Sequence, residues 1–145
     1  MDAAAGLARH NGVRAALAEA GLEPELPSEI ASFDVAGGRE AMLRLLNQVP
    51  DLDAVICATD RMAFGAMEAL RSAGREIPKD VSIVGVGDSW ASEHITPHLT
   101  TAHFYFRTCG ESAAALLVEM MRNKDQPRPI RQTKLGFTIQ ARDSI

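Results

Sequence analysis

Several short polar groups stand just where apolar runs give way. Phe33-Asp34 follows Ile30-Ala31, Thr59-Asp60 follows Ala54-Val55-Ile56-Cys57-Ala58, and Gly87-Asp88 follows Val81–Val86. Arg9 lies three and four residues before Gly12 and Val13, on the inward stripe of a helix-like segment, so it overhangs the same edge. A guanidinium, short acceptors and an aromatic ring at one rim suit a polyhydroxylated ligand: a bidentate donor, acceptors for hydroxyls, and a flat apolar face for a sugar ring. Each residue also has a plainer reading, with Asp60 as a helix N-cap, Phe33 as core and Arg9 as surface. Their convergence makes the case.

No catalytic constellation accompanies them. There is no Gly-x-Ser-x-Gly elbow, no phosphate-binding glycine loop, no His-Glu-x-x-His and no Cys-x-x-Cys. Gly85-Val86-Gly87-Asp88 lacks the third glycine and the helix of a dinucleotide fingerprint. The histidines His10, His94, His98 and His103 are scattered, and Cys57 and Cys109 have no partner at metal spacing, so neither a metal nor another cofactor is expected and both cysteines read as small buried hydrophobes. The expectation is a binding protein that is not an enzyme.

The 145 residues are 46% hydrophobic and 23% charged, the make-up of one globular domain. A net charge of −4 provides no basic surface for a phosphate backbone. No apolar run approaches the roughly 20 residues of a membrane span, and the first residues lack a signal peptide's apolar core, which points to the cytoplasm. Those first residues are already helical in composition, as in an excised piece.

The positioning elements follow from periodicity. Gly12, Val13, Ala16, Leu17 and Ala20 share one helical face over residues 3–20, closed by Gly21. A short strand is expected at Ile30–Phe33, then a helix over Arg39–Asn47 opened by Gly37-Gly38, with Met42, Leu45 and Leu46 inward. Ala54–Ala58 reads as a parallel strand covered on both sides, Asp60 as the cap of the next helix, and Gly74 as its stop. Val81–Val86 is a second buried strand. A strand near Leu99–His103 leads to a helix over Phe106–Arg122, and alternating Leu135, Phe137, Ile139 and Ala141 form a half-covered strand. Asp125–Pro129 reads as a mobile loop. The repeated strand–helix order predicts an α/β domain, a mainly parallel sheet flanked by helices.

The order and spacing of Asp53–Asp60, Met62–Ala66, Ile77–Gly85, Pro97–Thr101, Gly110 and Arg142-Asp143-Ser144 resemble the C-terminal half of the effector-binding region in lactose/galactose-type bacterial repressors, which share the periplasmic sugar-binding-protein fold. The resemblance implies that residues 1–103 and 132–145 form the C-terminal lobe and that 104–131 cross to an N-terminal lobe absent here. It implies a small sugar as effector, with the sugar-contacting arginine at Arg9, the stacking aromatic at Phe33, the amide position at Thr59, and pocket-edge positions at Phe104 and Phe106. Where the family has a ring-gripping aspartate this sequence has Gly87. Either Asp88 takes over that contact or the sugar sits differently. The runs Gly85–Trp90 and His103–Phe106 lean toward sucrose- or fructose-responsive members.

Phe64 and Met67 lie off the stripe Met62, Ala66, Ala69, Leu70 and Ala73, as an exposed pair. With Ile95 they are the expected homodimer contact in the resembling family. Operator DNA would be reached only through an absent N-terminal domain. Without the first lobe, the helix at 106–122 would fold back, exchange with a neighbour or leave apolar surface exposed. A periplasmic sugar-binding transport protein is the alternative, and a small α/β enzyme a weaker one.

Overall fold

The computed structural model describes residues 3–123 and 132–145. The expected loop at Asp125–Pro129 lies outside them. Helix α1 (Ala3–Glu19) is followed by α2 (Val35–Gln48), β1 (Ala54–Ile56), α3 (Asp60–Ser72), β2 (Ser82–Val86), a 3-10 turn (Trp90–Glu93), β3 (Thr100–Phe104), α4 (Phe106–Arg122) and β4 (Phe137–Gln140). The sheet runs β1-β2-β3-β4. Its first three strands are parallel, and β4 lies antiparallel to β3 with Phe104 opposite Phe137. The chain is therefore an α/β domain with a mostly parallel sheet and flanking helices.

Helix α3 is the centre of the core. Met62, Ala63, Ala66, Met67, Ala69 and Leu70 are all buried, together with Val81, Ile83 and Leu99 from the sheet side and Met42 and Leu45 from α2. Two glycines let α2 and α3 touch backbone to backbone. A Cβ on Gly38 would stand 2.1 Å from the Met62 carbonyl oxygen, and one on Gly65 would stand 1.9 Å from that of Val35. Two expectations are corrected. Met67, expected in an exposed pair with Phe64, is wholly buried in the core, on the side of α3 that carries Asp60 and Ala63 and away from the Met62–Gly65 face covered by α2, while Phe64 is half-buried against the same core. Gly37 and Gly38 do not open α2 but lie in its first turn, which begins at Val35 because Asp34 caps it, accepting from the Gly37 N–H at 2.7 Å. That bond, ahead of one from Ser32, holds the Asp34 carboxyl below its usual range.

Other differences concern cover. Ile30–Phe33 joins no ladder, and Ile30 is 96% exposed; the segment delivers the chain to the Asp34 cap. β1, at the edge of the sheet, is not covered on both sides, since Ala54 and Ile56, which share one face, are both exposed. On α1 only Val13 and Leu17 of the expected stripe are even half-buried. On β4, Phe137 and Ile139 are both exposed, so this strand is not half-covered. No residue of α4 is buried, and Leu117, Val118, Met120 and Met121 stand open, the third of the arrangements expected for that helix. Cys109, on α4, is exposed rather than buried.

Candidate functional site

The carboxyl ends of β1, β2 and β3 bring three loops to one rim, where ligands bind in parallel α/β sheets. At the end of β1, Arg9 reaches across from α1 and donates from its guanidinium to the Ala58 carbonyl at 2.9 Å. Its Cζ lies 5.8 Å from the centroid of the Phe33 ring, within cation–π range. The ring also lies against Gly6, where a Cβ would be 3.5 Å away. Arg9 and Phe33, far apart in sequence, are thus brought together beside Thr59.

Of the pair Thr59-Asp60, the helix cap falls to Thr59 and not, as expected, to Asp60. Thr59 is the N-cap of α3, its Oγ1 accepting from the Met62 N–H at 3.3 Å. Asp60 begins the helix itself, 2% exposed, and its carboxylate points back under the loop after β2. Oδ2 accepts from the Ser89 N–H at 2.7 Å and the Ser92 hydroxyl at 2.9 Å, and Oδ1 from the Thr101 hydroxyl at 2.5 Å. A buried carboxylate needs such donors. A capping position and a buried acceptor look alike in sequence, since both call for a short oxygen-bearing side chain at a helix start.

Asp88 occupies the left-handed region with φ 49°, directly after Gly87 at φ 137°. Its Oδ1 accepts from Arg142 at 2.7 Å and its Oδ2 lies 2.8 Å from His103 Nδ1. Burial disfavours the charged form, but the hydrogen bonds and charges of Arg142 and His103 outweigh it and hold the carboxyl below its usual range. Arg142 also donates to the Leu99 carbonyl and to Glu93. Burial works against its charge too, but Asp88 and Glu93 push its pKa up. Ser144, wholly buried, donates to the Ile83 carbonyl and accepts from the Thr100 N–H, so the tail that carries Arg142 is sewn into the sheet. The Asp88–His103–Arg142 group was not anticipated: three residues so far apart carry no spacing signal.

Phe104 and Phe106 flank the exit from β3 with ring centroids 5.9 Å apart, and Phe106 is 67% exposed. Ile95, half-buried, packs against the core like Phe64. Among the described residues no group of three or more His, Cys, Asp or Glu could hold a metal ion, and no helix is long and apolar enough to cross a membrane. The rim thus offers stacking faces and hydrogen-bonding groups.

Residues 2–145 match the model of the periplasmic binding protein-like domain. The chain belongs to that family. Within it, the likeness is to the effector-binding part of lactose/galactose-type (LacI/GalR) transcriptional regulators. The transcriptional regulator CelR of Thermobifida fusca is 37% identical over 132 residues, which cover 90% of this chain and 38% of that protein. The regulator GalR of Escherichia coli is 34% identical over 122 residues, covering 82% of this chain and 35% of that protein. Among solved structures, the CelR–cellobiose complex superposes with a TM-score of 0.86 at 34% identity, over 96% of this chain and 42% of that one. A LacI family regulator from Arthrobacter in complex with lactose gives a TM-score of 0.82 at 27% identity, over 92% of this chain and 50% of that one. This periplasmic-binding-protein-like chain therefore spans about two fifths of the length of the curated relatives it matches. The lean toward sucrose- or fructose-responsive members finds no support in these relatives.

Proposed function

We propose that this chain is the sugar-sensing lobe of a bacterial LacI-type transcriptional repressor, working in the cytoplasm as part of a homodimer. The observation that carries the reading is the Arg9 guanidinium held at the Ala58 carbonyl over the Phe33 ring, a donor and a stacking face at one sheet rim. Phe104 and Phe106 at the β3 exit supply further apolar faces, and Thr59 lies at the edge of the same rim. The CelR–cellobiose complex, the Arthrobacter complex with lactose and an Enterococcus faecium LacI family regulator with bound ribose support a neutral sugar as the ligand. Phe64 and Ile95 remain the proposed dimer contacts, with Met67 beneath them as packing.

In this reading residues 104–131 cross to a second lobe, and sugar held between the lobes changes their mutual angle. The effect reaches operator DNA through a separate N-terminal head, since a chain of net charge −4 is a poor partner for phosphate. Sugar acts only through its preference for one arrangement: moving a 1:99 equilibrium to 99:1 takes about 5.5 kcal/mol of differential binding.

Reading the coding sequence upstream of Met1 tests the class. A helix-turn-helix followed by an α/β lobe supports the repressor; a signal peptide followed by a lobe replaces it with a transport receptor. Calorimetric titration of the complete gene product with cellobiose, lactose, ribose, sucrose and fructose tests the ligand. Arg9→Ala removes a charged hydrogen bond worth about 1.5–3 kcal/mol, so affinity falls roughly tenfold or more. Unchanged affinity in that variant sinks the role given to Arg9.

A further inference from the structure

Both oxygens of the Asp88 carboxylate are engaged, one by Arg142 and the other by His103. An ionised carboxylate only accepts hydrogen bonds, so the proton between it and His103 belongs to Nδ1. In the neutral imidazole Nε2 is then a bare acceptor. The ring is held on a second side by Tyr105, edge to face at 5.1 Å, yet the side chain keeps 34% of its surface open. His103 also sits at the carboxyl end of β3, beside the loop that carries Gly87. A carboxylate that fixes one ring nitrogen so that the other meets a ligand is the arrangement that orients metal-bound histidines. Here the free nitrogen belongs to a partly open side chain at the sheet rim proposed above to bind sugar.

We propose that His103 is a ligand-contacting residue, its Nε2 accepting a hydrogen bond from a hydroxyl of a neutral polyhydroxylated ligand, and that Asp88 and Arg142 are its positioning residues. The inference rests on the sugar-binding reading above and changes one part of it: Asp88 acts on the sugar through His103.

The test is calorimetric titration of the complete gene product with cellobiose and with lactose, using His103→Gln and His103→Asn, each checked for a wild-type unfolding transition. Glutamine places an amide near the position of Nε2; asparagine places one near Nδ1. Loss of one neutral hydrogen bond weakens binding about two- to tenfold. Asparagine is expected to show that loss, and glutamine to stay closer to wild type. The reverse order, or wild-type affinity in both, overturns the proposal and reduces His103 to a support for Asp88. A wild-type protein that binds neither these sugars nor the others overturns the sugar reading itself, and this inference with it. Long-range 1H–15N spectra of the imidazole provide an independent check. An Nδ1-protonated ring whose Nε2 resonance moves on adding cellobiose supports the contact, and an Nε2-protonated ring refutes it.

Discussion

Replacing Asp60 probes the loop after β2 most directly, because one side chain accepts three hydrogen bonds in a site that is 2% exposed. In Asp60→Ala the Ser89 N–H has no means of turning to another acceptor. The Ser92 hydroxyl can turn toward Ser89 Oγ, 3.2 Å away, and the Thr101 hydroxyl loses its acceptor. At about 1–3 kcal/mol for each buried donor left unpaired, with Ser92 partly rescued, the cost is about 3–5 kcal/mol. In Asp60→Asn the amide oxygen serves Ser89 and Ser92, the amide nitrogen donates to Thr101 Oγ1, and the Thr101 proton is orphaned, so the cost is about 1–3 kcal/mol. Urea unfolding followed by circular dichroism measures both. With m about 2 kcal/mol/M, the Ala midpoint falls by roughly 1.5–2.5 M and the Asn midpoint by about half that. An alanine variant within about 0.3 M of wild type, or an asparagine variant as damaged as the alanine one, refutes the argument that acceptor count sets the cost.

The same measurement separates two glycines. Gly65→Ala drives a Cβ into the Val35 carbonyl and to 2.6 Å from the Arg39 nitrogen, both backbone, and is expected to destabilise by about 2 kcal/mol after the gain in helix propensity. Gly12→Ala on α1 meets nothing within 4 Å and is expected to stabilise by about 0.5–1 kcal/mol. Equal effects would show that the α2–α3 contact is looser than described. Asp88 has a folded pKa below its unfolded one, so its contribution is complete above about pH 4 and is lost as pH falls through the folded value. Asp88→Asn should therefore flatten the acid limb of stability against pH, and superimposable acid limbs would contradict this. Burial, ahead of the charge of Asp60, pushes the Cys57 thiol up to about 12, whereas Cys109 is exposed. A thiol reagent at mild alkaline pH should label one cysteine in the native chain and both after unfolding; rapid labelling of both in the native chain argues against a closed core.

The elements were legible where local signals agree with their surroundings. Val81–Val86 is apolar and β-branched and became β2, and the bounds of α4 followed from Phe106 and Arg122. Failures arose where one signal serves two purposes. Glycine at 37 and 38 breaks a helix in isolation, but here Gly38 permits contact with Met62 and Gly37 with Ser32, facts of the neighbours they pack against. Met67 lies off the stripe that runs through Met62, Ala66 and Ala69 and so looked exposed, but that stripe borders α2, and the side of α3 that carries Asp60, Ala63 and Met67 is buried as well, which a single-stripe reading has no place for. Ile30-Ala31 is apolar enough for a strand, yet no ladder is open to it. At the rim, Phe33, Thr59 and Asp88 announced themselves by following apolar runs, and Arg9 by its place on the stripe of the first helix. Their hydrogen-bond partners did not, since His103 and Arg142 are 15 and 54 residues from Asp88.

The two polar groups of the rim form one network, joined at Thr101. Its hydroxyl donates to Asp60 Oδ1 and accepts the Asp88 N–H at 3.3 Å, so the buried Asp60 carboxylate under the loop and the Asp88 backbone on the loop meet at one atom. A change at Asp60 therefore alters the backbone position of Asp88, and through it the setting of His103. Such sharing makes mutational energies non-additive, with interaction terms of about 0.5–3 kcal/mol for residues in one network. A double-mutant cycle of Asp60→Asn and Asp88→Asn should show a coupling of that size, and the same cycle in a Thr101→Val background should lose it. Coupling that survives Thr101→Val would mean that the two carboxylates communicate through the loop backbone or by direct charge, and the hydroxyl would be a bystander. Additive costs in the wild-type background would separate them altogether: Asp60 would then support only the fold, and the Asp88–His103 pair could be altered for ligand preference without cost to the sheet beneath it.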